Sequence, residues 1–124
     1  MRNESKNIVA NKSYAFALRT IKLYKYLISD KKEFVLSKQI LRSGTSIGAN
    51  VKEAEHAQSK KDFTHKMNIA LKEANETEYW LMLLKDSEYI SQDSFNSIHP
   101  DSVELIKLLS SIVKSSKKSL ENGK

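Results

Sequence analysis

Residues 42–84 read RSGTSIGANVKEAEHAQSKKDFTHKMNIALKEANETEYWLMLL, and this stretch decides the fold. It divides into two long amphipathic helices that meet near Ser59. In the first, Leu36, Ile40, Gly44, Ile47, Val51 and Ala54 recur in steps of four and three, which predicts a helix over residues 35–58. In the second, Ser59 stands as N-cap with Asp62 three residues on, close to a capping box and favourable at the positive end of the helix dipole. Its buried face is predicted at Phe63, Met67, Ala70, Leu71, Ala74, Thr77, Leu81 and Leu84. Gly44 and Gly48 each cost about 1 kcal/mol against alanine inside a helix. A closely approaching neighbour helix compensates for them, or else a local bend. On the polar side, Ser43, Ser46, Asn50 and Glu53 are read as partners in helix-to-helix hydrogen bonding rather than as ligand groups.

Two further helices flank this pair. The first is predicted from Lys6 to Ser29 with Ser5 as its N-cap. It bears two apolar stripes, one of Tyr14, Ala17, Leu18, Ile21, Tyr24 and Ile28, the other of Val9, Phe16, Leu23 and Leu27. A helix with one buried face needs a single stripe of about 100°. Two stripes imply a helix that is central in a bundle or also covered by a second subunit. The connection Asp30–Glu33 is polar, short and unsuited to burial. On the third helix Ile69, Trp80 and Leu83 fall away from the main face, as an oligomer interface or as a wider core inside the subunit. The last helix is capped by Ser91 and carries Phe95, Ile98, Ser102, Leu105, Leu109 and Val113 to about residue 118. Pro100 interrupts it, which predicts a kink near residues 96–99 or a helix that restarts at Pro100. Residues 114–124, KSSKKSLENGK, are expected to be a basic, frayed and solvated tail. The whole is read as all-α, a single antiparallel up-down-up-down four-helix bundle over residues 1–124.

A formal net charge of +6 is compatible with a polyanionic partner. Lys12, Arg19, Lys22 and Lys25, lying between the stripes of the first helix, are the first candidates for phosphate contacts, with Lys38, Arg42 and Lys52 behind them. The absence of cysteine excludes disulfides, Cys-ligated metals and thiol catalysis. A bundle holding two metals needs Glu-x-x-His on two helices and a further Glu on each of the others. Here Glu53–His56 is a single copy and Asp62–His65 follows it directly along the chain, so no metal and no cofactor is expected. No nucleophile elbow and no phosphate-cradling glycine loop occurs either. The expectation is a protein without enzymatic activity. No apolar run approaches the roughly 20 residues of a membrane span. The opening MRNESKNIVANKSYAF has no apolar centre of a signal peptide, so no membrane contact and a cytoplasmic location are expected.

Arg42, Ser43, Ser46, Ile47, Ala49, Asn50 and Glu53 fit the pattern RS-x-x-S-I-x-A-N-x-x-E. Ser59, Asp62 and Phe63, then Ile69 to Glu73, Glu76, Thr77 and Tyr79 to Leu81, continue it as S-x-x-D-F and I-A-L-K-E-x-x-E-T-x-Y-W-L. In these residues the chain resembles the bacterial four helix bundle protein family, also labelled S23 ribosomal or rRNA intervening-sequence proteins. Pro100 departs from the straight last helix the family has. The resemblance implies an antiparallel bundle, no enzymatic activity and a barrel-like homo-oligomer, a pentamer. The chain is also similar to the accessory variability protein of diversity-generating retroelements. That likeness implies a basic adaptor that binds RNA or DNA, with a reverse transcriptase as protein partner. Tyr14, Ile21, Ile28, Ile69, Trp80 and Leu83 are the candidates for the oligomer interface. Arg42, Ser43, Ser46, Asn50, Glu53, Glu73 and Glu76 are the structural residues of the motif. The expected function is a homo-oligomeric adaptor that binds nucleic acid through basic helix faces. The alternative is a protein–protein interaction module that binds no nucleic acid.

Overall fold

The computed structural model describes residues 4–123 and contains α1 (Glu4–Ser29), α2 (Leu36–Glu55), α3 (Lys60–Asp86) and α4 (Gln92–Glu121). Each helix packs on its neighbour in the chain, and α1 closes loosely against α4. Short connections allow only antiparallel neighbours, so the result is an up-down-up-down bundle. No helix among the described residues is long and apolar enough to cross a membrane.

One stripe of every helix builds the interior. Ile40, Ile47, Val51 and Ala54 come from α2, Met67, Ala70, Ala74, Leu81 and Leu84 from α3, and Phe95, Ile98, Leu105, Leu109 and Val113 from α4. These are the faces the spacing predicts. Helix α1 buries only one of its two stripes, Val9, Phe16 and Leu27, with Ser13 and Thr20 filling the gaps between them. Both hydroxyls donate back into their own helix, Ser13 to the Ala10 carbonyl at 3.2 Å and Thr20 to the Phe16 carbonyl at 2.9 Å. That bonding is how a helix keeps a buried hydroxyl satisfied. Small side chains stand here because α2 comes close. A Cβ on Gly44 would lie 2.6 Å from Thr20 Cγ2, whereas one on Gly48 would meet Ser13 at 3.4 Å. Close approach of a neighbour helix, not a bend, is what Gly44 serves.

Several element ends differ from expectation, each for a local reason. Helix α1 already includes Glu4, so Ser5 lies inside it rather than capping it. Glu33 is buried, contrary to the reading of its connection. Its carboxylate accepts from the backbone N–H groups of Leu36 at 2.9 Å, Ser37 at 2.7 Å and Val35 at 3.2 Å. The first N–H groups of a helix lack partners inside it, and the dipole favours an anion there. Lys32, at φ 54°, turns the chain so that Glu33 reaches them. Helix α2 stops at Glu55 rather than Gln58. Ser59 and Ser91 cap α3 and α4 as expected, accepting from the Asp62 and Ser94 amides at 3.0 Å each. Helix α4 runs through Pro100 unbroken, so it does not restart there. The ring lies on the exposed side, as does Asn96, whose carbonyl it leaves without its helical donor. The basic end is helical to Glu121 rather than frayed. Lys60 Nζ donates to Ser119 Oγ at 2.7 Å, and the Thr64 and Ser116 hydroxyls bond to each other, tying the last turns to α3.

Candidate functional site

The motif residues of α2 and α3 meet along one seam. Arg42 donates from Nη2 to Glu76 Oε2 at 2.6 Å and from Nη1 to Glu73 Oε2 at 3.2 Å. The Trp80 indole N–H donates to the same Glu76 oxygen at 3.0 Å. Beneath them the buried Thr77 and Ser43 hydroxyls bond at 2.8 Å, and Thr77 also reaches the Glu73 carbonyl at 2.7 Å. About three turns further along α2, Glu53 accepts from Lys66 Nζ at 2.8 Å. Ser46 and Asn50 do not cross the seam. They bond within α2, Ser46 to the Arg42 carbonyl at 2.6 Å and Asn50 to the Ser46 carbonyl at 2.9 Å. Of the polar side expected to join two helices, Ser43 and Glu53 do so.

The charges in this seam hold one another. The Trp80 N–H first, then Arg42, keep the Glu76 carboxyl below its ordinary range. Glu76 and then Glu73 raise the Arg42 guanidinium in return, and the Glu53 carboxylate raises Lys66. The Arg42 side chain is 51% exposed and that of Glu73 is 18% exposed, so the acid is the more enclosed partner. Among the described residues no three His, Cys, Asp or Glu side chains stand close enough to hold a metal. His56 and His65 are exposed.

The basic candidates separate into two groups. Arg19 bonds Asp101 at 2.8 Å and Ser97 on α4, and Lys12 pairs with Glu104 at 3.3 Å. With Arg42, these three serve contacts between helices. Lys22, Lys25, Lys38 and Lys52 are exposed and carry no ion pair among the described residues.

The interface candidates separate as well. On α1 Tyr14 is 68% exposed, Leu18 53% and Ile21 36%, and Ile28 is half-buried. Tyr14 lines a groove against α2 together with Ala10, Ala17, Thr45 and Ala49. On α3 Trp80 packs against the core and is tied to Glu76, so it belongs to the wider core inside the subunit. Ile69 and Leu83 are half-buried, while Tyr79 and Met82 are the exposed apolar residues of that helix. Three roles escaped the sequence reading. Spacing places Thr77 in the core without its hydrogen bonds, and gives no sign of the Lys66–Glu53 pair or of Glu33 as a cap. A carboxylate just ahead of a helix start is the signal that marks Glu33.

An antiparallel bundle whose polar motif staples its middle helices, with an apolar stripe left outside, defines the class of protein. The chain belongs to the 23S rRNA-intervening sequence protein family, whose model matches residues 5–111. It is similar to a crystal structure of a protein with unknown function from the S23 ribosomal protein family of Bacteroides thetaiotaomicron. The two share 62% identity over 89% of this chain and 98% of that one, with a TM-score of 0.87. No curated protein matches the chain.

Proposed function

We propose that this protein is a non-enzymatic homo-oligomeric scaffold, a pentamer, that binds RNA or DNA through basic faces of its helices. The outer stripe of α1 carries the reading. Tyr14, Leu18 and Ile21 recur at steps of four and three on a helix whose other stripe already fills the core. Large side chains repeated along one exposed face mark an interaction surface. A neighbouring copy satisfies it in a closed ring when it meets the stripe head-to-tail with a different part of its own surface. Self-association multiplies a monomer charge of +6, and a polyanion is the natural counter-charge. The polar motif supports the non-enzymatic part, because its charged side chains are engaged with one another.

Light scattering after size exclusion, with and without a short mixed-sequence oligonucleotide, tests the proposal at low and moderate salt. A species several times the 14.2 kDa chain, shifted by the oligonucleotide at low salt and released at higher salt, is the expected result. An assembly indifferent to nucleic acid points to a protein partner instead.

A further inference from the structure

We infer that the nucleic-acid site lies on the outer face of the α3–α4 seam, a surface distinct from the basic positions of α1 and α2. The inference rests on the proposed nucleic-acid reading and assigns its location. On α3 the exposed positions 61, 65, 72, 75 and 79, with half-buried 68, recur in steps of four and three and form one stripe. They carry Lys61, His65, Asn68, Lys72, Asn75 and Tyr79, none of them acidic. On α4 the exposed positions 107, 111, 114 and 118 form the matching stripe, Lys107, Ser111, Lys114 and Lys118.

The two stripes stand side by side. Lys60 meets Ser119 at one end of the seam, and Glu78 lies 2.9 Å from His99 further up. Counting the antiparallel register between those ties puts Lys61 level with Lys118 and Lys72 level with Lys107. None of these lysines has an ion pair among the described residues, whereas Lys12, Arg19, Arg42 and Lys66 are all paired. Nearby carboxylates are committed elsewhere or lie at the margin. Glu78 sits against His99, Glu73 and Glu76 hold Arg42 on the opposite flank of α3, and Glu121 is at the very end of α4.

Like charges level with one another across a seam repel, and no ion pair among the described residues offsets the charge of these lysines. A strand of phosphates does. The eleven steps from Lys61 to Lys72 rise about 16 Å, long enough to follow several phosphates of one strand. Lysine recognises phosphate as a point charge and reads no sequence. At the upper end of the same stripe Tyr79 is 56% exposed and braced edge-on by Trp80 at 5.1 Å. An exposed, braced ring in line with a phosphate track is a platform for an unpaired base. The ligand is therefore single-stranded nucleic acid bound without sequence preference. Because α1 and α2 lie on the far side of the bundle from this seam, an assembly built through α1 leaves it open.

The test is fluorescence anisotropy with a labelled, mixed-sequence single-stranded RNA across a salt series. It compares the native chain with K61Q/K72Q/K107Q/K114Q/K118Q and with the control K22Q/K25Q/K38Q/K52Q. All these lysines are exposed, and neutralising the seam relieves repulsion, so circular dichroism should match the native chain. The inference expects the seam variant to lose at least tenfold in affinity at low salt, with the log–log salt slope shallower by about 3. It expects the control to bind as the native chain does. Tyr79→Ala should weaken binding about tenfold with the slope unchanged, because stacking releases no counterions. Loss in the control with retention in the seam variant overturns this location and leaves the nucleic-acid reading intact. No binding by the native chain at low salt overturns both.

Discussion

Helix α2 has two working sides, and they are held in opposite ways. Toward α1 it offers bare backbone: Gly44 sits so near Thr20 that a single added carbon would overlap it, and the facing hydroxyls bond only within α1. Toward α3 it offers side chains: Arg42 to Glu73 and Glu76, Ser43 to Thr77, Glu53 to Lys66. The small and the charged residues of one motif thus do separate jobs, and both jobs are structural. Close packing depends on shape and tolerates no added volume. A polar seam depends on partners and tolerates no deletion of one of them. Gly44, Arg42, Ser43, Glu53, Glu73, Glu76 and Thr77 of the motif are thus engaged in building the subunit.

Enlarging the α1 side should do the most damage. Gly44→Val is expected to destabilise by about 3 kcal/mol through overpacking against Thr20, read by chemical denaturation. Combining it with Thr20→Ala should recover part of the loss. Gly48→Ala, whose new carbon meets nothing closer than 3.4 Å, should instead hold or gain stability by up to about 1 kcal/mol from helix propensity. Equal damage at the two glycines would erase the contrast drawn here.

On the α3 side, Thr77→Val keeps the shape and removes the hydroxyl. Burying the Ser43 hydroxyl without that partner should cost about 2 kcal/mol. The double variant with Ser43→Ala should cost less than the two single losses added, since the pair fails together. Strict additivity in that cycle would mean the hydroxyls are not coupled.

The outer ring of the same seam should matter least. Arg42→Met is expected to cost about 1 kcal/mol, because the guanidinium is half in water and salt screens it. Glu76 supplies a pH signature. Its folded carboxyl titrates below the ordinary value near 4.5, so its contribution is present above that pH and is lost as pH falls through the folded value. The stability gap between the native chain and Glu76→Gln should therefore narrow on acidification. A gap that widens toward acid would reverse the assignment.

How much of this could be read from residues alone depended on whether one helix or two were needed. The faces of α2, α3 and α4 were legible because apolar residues fall on one side at helical spacing. Helix α1 was not, because both of its stripes are apolar. What selects Val9, Phe16 and Leu27 is the match of Ser13 and Thr20 to the glycines of α2, a complementarity that exists only in register. Lys12 and Arg19 looked like free cations for the same reason, since Glu104 and Asp101 are far away in sequence. Glu33 looked like a solvated loop acid because its partners are backbone N–H groups, which every residue carries. Tyr14 and Ile21 were marked from their stripe, and they stand exposed on the outer face of α1.

The claim that this outer stripe is an assembly surface is open to one direct measurement, sedimentation velocity of the native chain beside Leu18→Glu. Leu18 is 53% exposed, so the substitution leaves the bundle intact and places a charge in the middle of the stripe. The account predicts a native species of several subunits and a folded monomer for the variant. A native chain that sediments as a monomer, or a variant that assembles as the native chain does, would contradict it.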